Sequence, residues 1–118
     1  MRGIVVVTHG SRVLEVNEKF KELIGILIKK TGRDIRGANL TLAPPKLEDV
    51  IQTMYVEGFR EIIVIPYFLS NGSHVIKDIP GILKEMKLNL EGISFSLENS
   101  LLFNSFVIKA IEEKINNN

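Results

Sequence analysis

The chain has only two histidines, His9 and His74, and each follows a run of residues with buried-strand character. His9 closes Ile4-Val5-Val6-Val7-Thr8, and His74 lies a few residues beyond Ile62-Ile63-Val64-Ile65. If both runs are parallel strands, two imidazoles meet at one rim of a sheet. Imidazole is a common ligand of divalent cobalt, nickel, iron and zinc, and its ordinary pKa near neutrality lets it accept a proton as well. The pair therefore points to transition-metal binding coupled to proton transfer.

The elements that must position these residues follow from hydrophobic periodicity. Residues 3 to 8 form a continuous β-branched run, as expected of a strand covered on both faces by helices. From Gly10-Ser11 to about Lys30, Val16, Phe20, Leu23, Ile24, Leu27 and Ile28 recur at helical spacing opposite a charged face. Gly32 is the natural left-handed cap for that helix. A second strand is expected at Ile35 to Leu42, broken by Ala43-Pro44-Pro45 because proline cannot donate to a ladder. Lys46 to Glu57 reads as a helix through Leu47, Val50, Ile51 and Met54, stopped by Gly58, and Glu61 to Phe68 as the most apolar strand. Ser70-Asn71-Gly72-Ser73 is a turn cluster with Ser73 as N-cap of a short helix at His74 to Ile79, and Pro80 opens a separate turn or helix through Leu83 to Met86. Ile93 to Leu97 alternates with serines like an edge strand, and residues 103 to 115 read as a closing helix with Phe106, Val107, Ala110, Ile111 and Ile115 apolar.

Strands alternating with helices predict an α/β fold: a single-domain three-layer sandwich over residues 1–118, built on a four-stranded parallel sheet with right-handed crossovers. Ligands of such sheets bind beyond the carboxyl ends of the strands, at the switch point. His9, Thr41 to Pro44, Phe68 to His74 and Glu98 to Ser100 all fall on that edge.

Composition narrows the partners. Fifteen basic and fourteen acidic residues leave a net charge of +1 without a basic block, so nucleic acid is not an expected ligand. The absence of cysteine removes disulfides, iron–sulfur ligation and thiolate zinc sites. No apolar run reaches the roughly 20 residues of a membrane helix, and Met1-Arg2-Gly3 leads directly into a strand instead of a signal peptide, so a cytoplasmic protein without membrane partners is expected.

Thr8-His9-Gly10-Ser11-Arg12, followed some sixty residues later by the run from Pro66 to Pro80, closely resembles the short CbiX/SirB-like class II chelatases. The shared pattern is H-G-S-R plus P-x-F-L-x-x-G-x-H-x-x-x-D-I-P, and the resemblance covers nearly the whole chain. It implies half of a two-domain chelatase, paired as a homodimer, that inserts cobalt, nickel or ferrous iron into sirohydrochlorin, an acidic tetrapyrrole. The ion would be substrate, with no permanently bound cofactor. The cobalamin, sirohaem and nickel-tetrapyrrole pathways all remain open.

Metal insertion removes two pyrrole protons while a partly desolvated ion passes to the ring, so a ligand that is also a base is useful. By resemblance His9 and His74 are the catalytic metal ligands, with His9 as proton acceptor. Asp78, four residues after His74, either fixes the imidazole tautomer or makes a helix-terminus charge interaction. Leu69, Ser70, Asn71, Gly72 and Ser73 offer backbone N–H groups to a flat macrocycle, or form an ordinary glycine turn. Ser11, Arg12, Thr41, Pro44 and Lys46 complete the expected substrate contacts, with Arg12 and Lys46 either the basic residues for peripheral carboxylates or solvated surface. Tyr67 and Phe68 either wall the pocket or belong to the core.

The resemblance also implies a glutamate in the second strand where this chain has Thr41, and a charged residue where it has Pro44. A carrier that binds a tetrapyrrole or metal without turnover is therefore the alternative; Glu98 is either a substitute acid on the same edge or a structural or surface acid. A histidine phosphatase is disfavoured because Thr8 stands where the phosphate-binding arginine is required. No G-x-G-x-x-G follows the first strand to bind a dinucleotide.

Overall fold

The computed structural model describes residues 2–67, 73–99 and 105–117, the side chains of residues 73–77 excepted. The expectations for Phe68, Leu69, Ser70, Asn71, Gly72 and Ser100 lie outside the described residues. The order is β1 (Arg2–Thr8), α1 (Leu14–Thr31), β2 (Ile35–Asn39), α2 (Leu47–Val56), β3 (Glu61–Pro66), α3 (Ser73–Asn89), β4 (Ser94–Leu97) and α4 (Ser105–Asn116). All strand pairs are parallel, in the order β2-β1-β3-β4, with β4 at the edge.

Period-two alternation along the central strands explains their uniformly apolar sequence. Val5, Val7, Ile62 and Val64 face one layer, where they pack with Leu47, Val50, Ile51 and Met54 of α2, Ile79 and Leu83 of α3, and Leu90 just beyond that helix. Ile4, Val6 and Ile65 face the other, against Phe20, Ile24 and Leu27 of α1. Both faces of β1 and β3 are thus apolar because both are covered. Gly3 is needed for this packing: a Cβ there would overlap the Met54 methyl and press on the Phe59 ring. Gly32 caps α1 as expected, at φ 66°, donating its N–H to the Ile28 carbonyl at 2.8 Å.

Two expectations are corrected. β2 ends at Asn39, three residues before Leu42: Asn39 keeps its place opposite Thr8, and on the outer side of the strand its N–H donates to the Pro45 carbonyl at 2.8 Å and its side-chain amide to that of Pro44 at 3.3 Å, so the chain folds back through the prolines along its own edge. Pro80 does not separate two helices but sits inside α3. Ile79, Leu83 and Met86 form one apolar stripe at spacings of four and three, with Leu90 just past the helix end, and its packing into the core flanks the proline on both sides. Finally, α4 forms where a closing helix is expected, yet none of its residues is buried.

Polar contacts fasten α2 to its neighbours. Arg36 of β2 forms a two-pronged pair with Glu57 at 2.6 and 2.9 Å, bonds Asp34, and lies over the Phe59 ring. These hydrogen bonds hold the Glu57 carboxyl below its ordinary range. Arg60 stacks on Tyr55, whose hydroxyl donates to the Glu91 carbonyl at 2.7 Å.

Candidate active site

The site begins where β1 runs out. Two backbone bonds carry the β1–β2 pairing past the strand ends, from the Leu40 N–H to the Thr8 carbonyl at 2.9 Å and from the Thr41 N–H to the His9 carbonyl at 3.0 Å. They set Thr41 beside His9. Gly10 then turns the chain away at φ 96°, and a Cβ at that position would overlap the Thr41 carbonyl oxygen. Only glycine meets both demands, the left-handed φ and the close approach. Opposite it, Leu42 takes φ 68°, a costly conformation for a non-glycine residue, directly after Thr41.

Because β1 lies between β2 and β3, the chain crosses from one side of β1 to the other after β2. His9 therefore stands at the switch point, where an open parallel sheet forms its crevice. A cavity of about 440 Å³ opens there, lined by His9, Leu40 and Thr41 from the β1–β2 side and by Asp78, Gly81, Ile82 and Glu85 from α3. His9 and Thr41 are exposed, as are Asp78 and Glu85.

The structure thus brings together three of the residues picked out by sequence: His9, Thr41 and Asp78. His74 lies in the first turn of α3, one turn before Asp78, with its side chain outside the described set. Ser73 starts the same helix. Ser11 is engaged locally, its hydroxyl accepting the Val13 N–H at 3.0 Å and its carbonyl the Asn17 amide at 2.8 Å, so it shapes the entry to α1. Arg12 is exposed in that same turn, and Lys46 is exposed at the N-cap of α2. Neither lines the His9 cavity, nor does Pro44, which instead borders a groove between α1 and β2 with Phe20, Gly37, Asn39 and Pro45. Tyr67 stacks on Phe20 at 6.2 Å between ring centres, on the α1 side of the sheet and away from the cavity.

Glu98 does not line the His9 cavity. It extends the β3–β4 ladder, its N–H donating to the Val64 carbonyl at 2.9 Å, with β3 between it and β1. The acid that sequence reading missed is Glu85, which shares a cavity with His9. Its signal was present in the helical spacing of 78, 81, 82 and 85, but an expected break at Pro80 concealed it. Among the described residues no three His, Asp or Glu side chains are grouped closely enough to hold an ion.

An open parallel α/β sandwich with an imidazole and carboxylates at its switch point defines a class of ligand-binding domain able to handle cations and protons. Within that class the chain belongs to the CbiX family, whose model matches residues 3–118. It is 30% identical over 114 residues to the chloroplastic sirohydrochlorin ferrochelatase of Arabidopsis thaliana, a match spanning 96% of this chain and 51% of that protein. It is 35% identical over 83 residues to the sirohydrochlorin cobaltochelatase of Methanosarcina acetivorans, covering 69% of this chain and 63% of that protein. The chain thus spans about half of the first relative and under two thirds of the second. Among solved structures, a CbiX protein from Marinobacter aquaeolei VT8 superposes with a TM-score of 0.87 at 23% identity, over 99% of this chain and 96% of that one. The sirohydrochlorin chelatase SirB from Bacillus subtilis subspecies spizizenii, in complex with cobalt, also gives 0.87, at 21% identity, with 98% of this chain matching 50% of it. These likenesses establish the fold: half of the SirB chain matches all but 2% of this one. No helix among the described residues is long and apolar enough to cross a membrane.

Proposed function

We propose that this chain inserts a divalent metal ion, cobalt, nickel or ferrous iron, into sirohydrochlorin, with His9 and His74 as metal ligands and His9 as a proton acceptor. The observation that carries the reading is the placement of His9 at the switch-point cavity of a CbiX-family domain, opposite two carboxylates on α3. The cobaltochelatase and ferrochelatase relatives support the substrate class.

The reaction exchanges two pyrrole N–H protons for one dication. Each N–H bond breaks with its electron pair left on nitrogen, the nitrogen donates that pair to the metal, and the proton passes to a base. His9 is the described imidazole in position to serve as one such base while offering its ring to the ion. An ion delivered as substrate must also leave, so a few ligands on an open wall suit delivery better than a closed cage. A homodimer completes the reading: one copy presents a single open wall, and a second copy would supply the facing half of a cleft wide enough for a tetrapyrrole.

The test is sirohydrochlorin with Co²⁺, Ni²⁺ or Fe²⁺, followed spectrally against the spontaneous rate. Acceleration by the wild-type chain supports the proposal. Binding of the tetrapyrrole without acceleration contradicts it and identifies a carrier.

A further inference from the structure

Ile35, Gly37 and Asn39 alternate onto the face of β2 that α1 covers. Gly37 contributes no side chain there: a Cβ would come within 2.9 Å of Ile24 and 3.0 Å of the Phe20 ring, so α1 closes down on the strand at that point. Beside these residues runs a groove of about 180 Å³, walled largely by Phe20, Ile24, Gly37, Pro44 and Pro45. Asn39 also lines it and is only 4% exposed. The side-chain amide of Asn39 has one orientation, because Nδ2 donates to the Pro44 carbonyl at 3.3 Å and turning the amide over would set two oxygens against each other. The atom left over is Oδ1, which is buried and has no hydrogen-bond partner among the described residues. A buried acceptor with nothing to accept costs free energy, so it marks a place where a donor belongs.

We propose that this groove is a binding site for a small aromatic molecule with one O–H or N–H donor, of the phenol or azole class. Its ring lies against Phe20 and the two prolines, and its donor goes to Asn39 Oδ1. The volume suits a single ring: an apolar cavity of about 150 Å³ takes up benzene, whereas one water accounts for about 30 Å³ and would leave most of the groove empty. Apolar walls with one placed acceptor are the usual construction of a small-molecule site, the walls giving affinity and the acceptor giving orientation. The groove lies on the α1 side of β2, shares no lining residue with the His9 cavity against α3, and so stands independently of the chelatase reading.

Phenol and toluene are the probes, titrated into the full chain and followed by amide chemical shifts and by calorimetry. The two are close in size and toluene is the more apolar, so a groove that offers only apolar walls favours toluene, whereas a waiting acceptor favours phenol. Phenol should bind saturably, shift the backbone amide of Gly37 and the side-chain amide of Asn39, and bind about tenfold tighter than toluene. Asn39→Leu should remove that preference, bringing phenol to the level of toluene or below. If Asn39→Leu does not fold, the comparison of the two probes on wild type decides alone. Equal or tighter binding of toluene by wild type overturns the proposal, as do saturable shifts confined to another part of the surface. Failure of phenol to bind at millimolar concentration also overturns it, and leaves Oδ1 to ordered water.

Discussion

The chemistry proposed here turns on a few side chains and on one residue without a side chain. His9 is placed by strand β1 and by the backbone bonds to Leu40 and Thr41, so its position depends on Gly10 closing the loop at a φ only glycine adopts cheaply. Gly10→Ala must push its Cβ into the Thr41 carbonyl and should cost about 1–3 kcal/mol, with loss of activity exceeding loss of fold; thermal melts beside insertion assays would show this. His74→Ala should remove most metal insertion while leaving the far-UV spectrum unchanged, and a variant with full activity would remove His74 from the site. At this scale the sequence was informative about identity and less so about neighbours. The two histidines and Asp78 stood out by type and spacing, whereas Glu85 could be recognised only once α3 was known to continue through Pro80.

At the scale of elements, the apolar runs of β1 and β3 and the periodicities of α1 and α2 were legible because burial dictates them directly. What was not legible depended on tertiary contacts. β2 stops three residues short of its expected end where the proline loop folds back onto the outer edge of Asn39, and the buried α3 positions Ile79 and Leu83 outweighed a helix-breaking residue. Two predictions belong here. Ile51→Ala, at a wholly buried α2 position, should cost about 2–5 kcal/mol in denaturant unfolding, and a cost near zero would mean α2 is not the main lid of this core layer. The Arg36–Glu57 pair makes the α2–β2 junction acid-sensitive. Glu57 has a folded pKa below its ordinary 4.5, so its contribution is present above that value and is lost as the pH falls through the lower folded value. Arg36→Leu should therefore be less stable than wild type at neutral pH, with the gap narrowing below about pH 4; a gap independent of pH would assign the effect to packing on Phe59 instead.

For the whole molecule, the surface is larger than a compact monomer requires. The chain exposes 8078 Å², against about 6,450 Å² expected for its mass, and its radius of gyration is 15.1 Å where about 13.5 Å is typical of its length. Part of the exposed apolar surface lies on α4, where Ile108, Ile111 and Ile115 are all more than half exposed. A self-associating chain would bury such a surface, as the proposed homodimer requires. Light scattering at micromolar concentration should give twice the 13.3 kDa chain mass, and Ile111→Asp should shift it toward the monomer; a monomeric wild type would contradict the paired cleft. The reaction itself is decided by a single comparison: the rate of Co²⁺ insertion into sirohydrochlorin by wild type and by His9→Ala. The account predicts acceleration by wild type and a loss of about a hundredfold or more in a folded His9→Ala protein. Equal rates for the two proteins would contradict it.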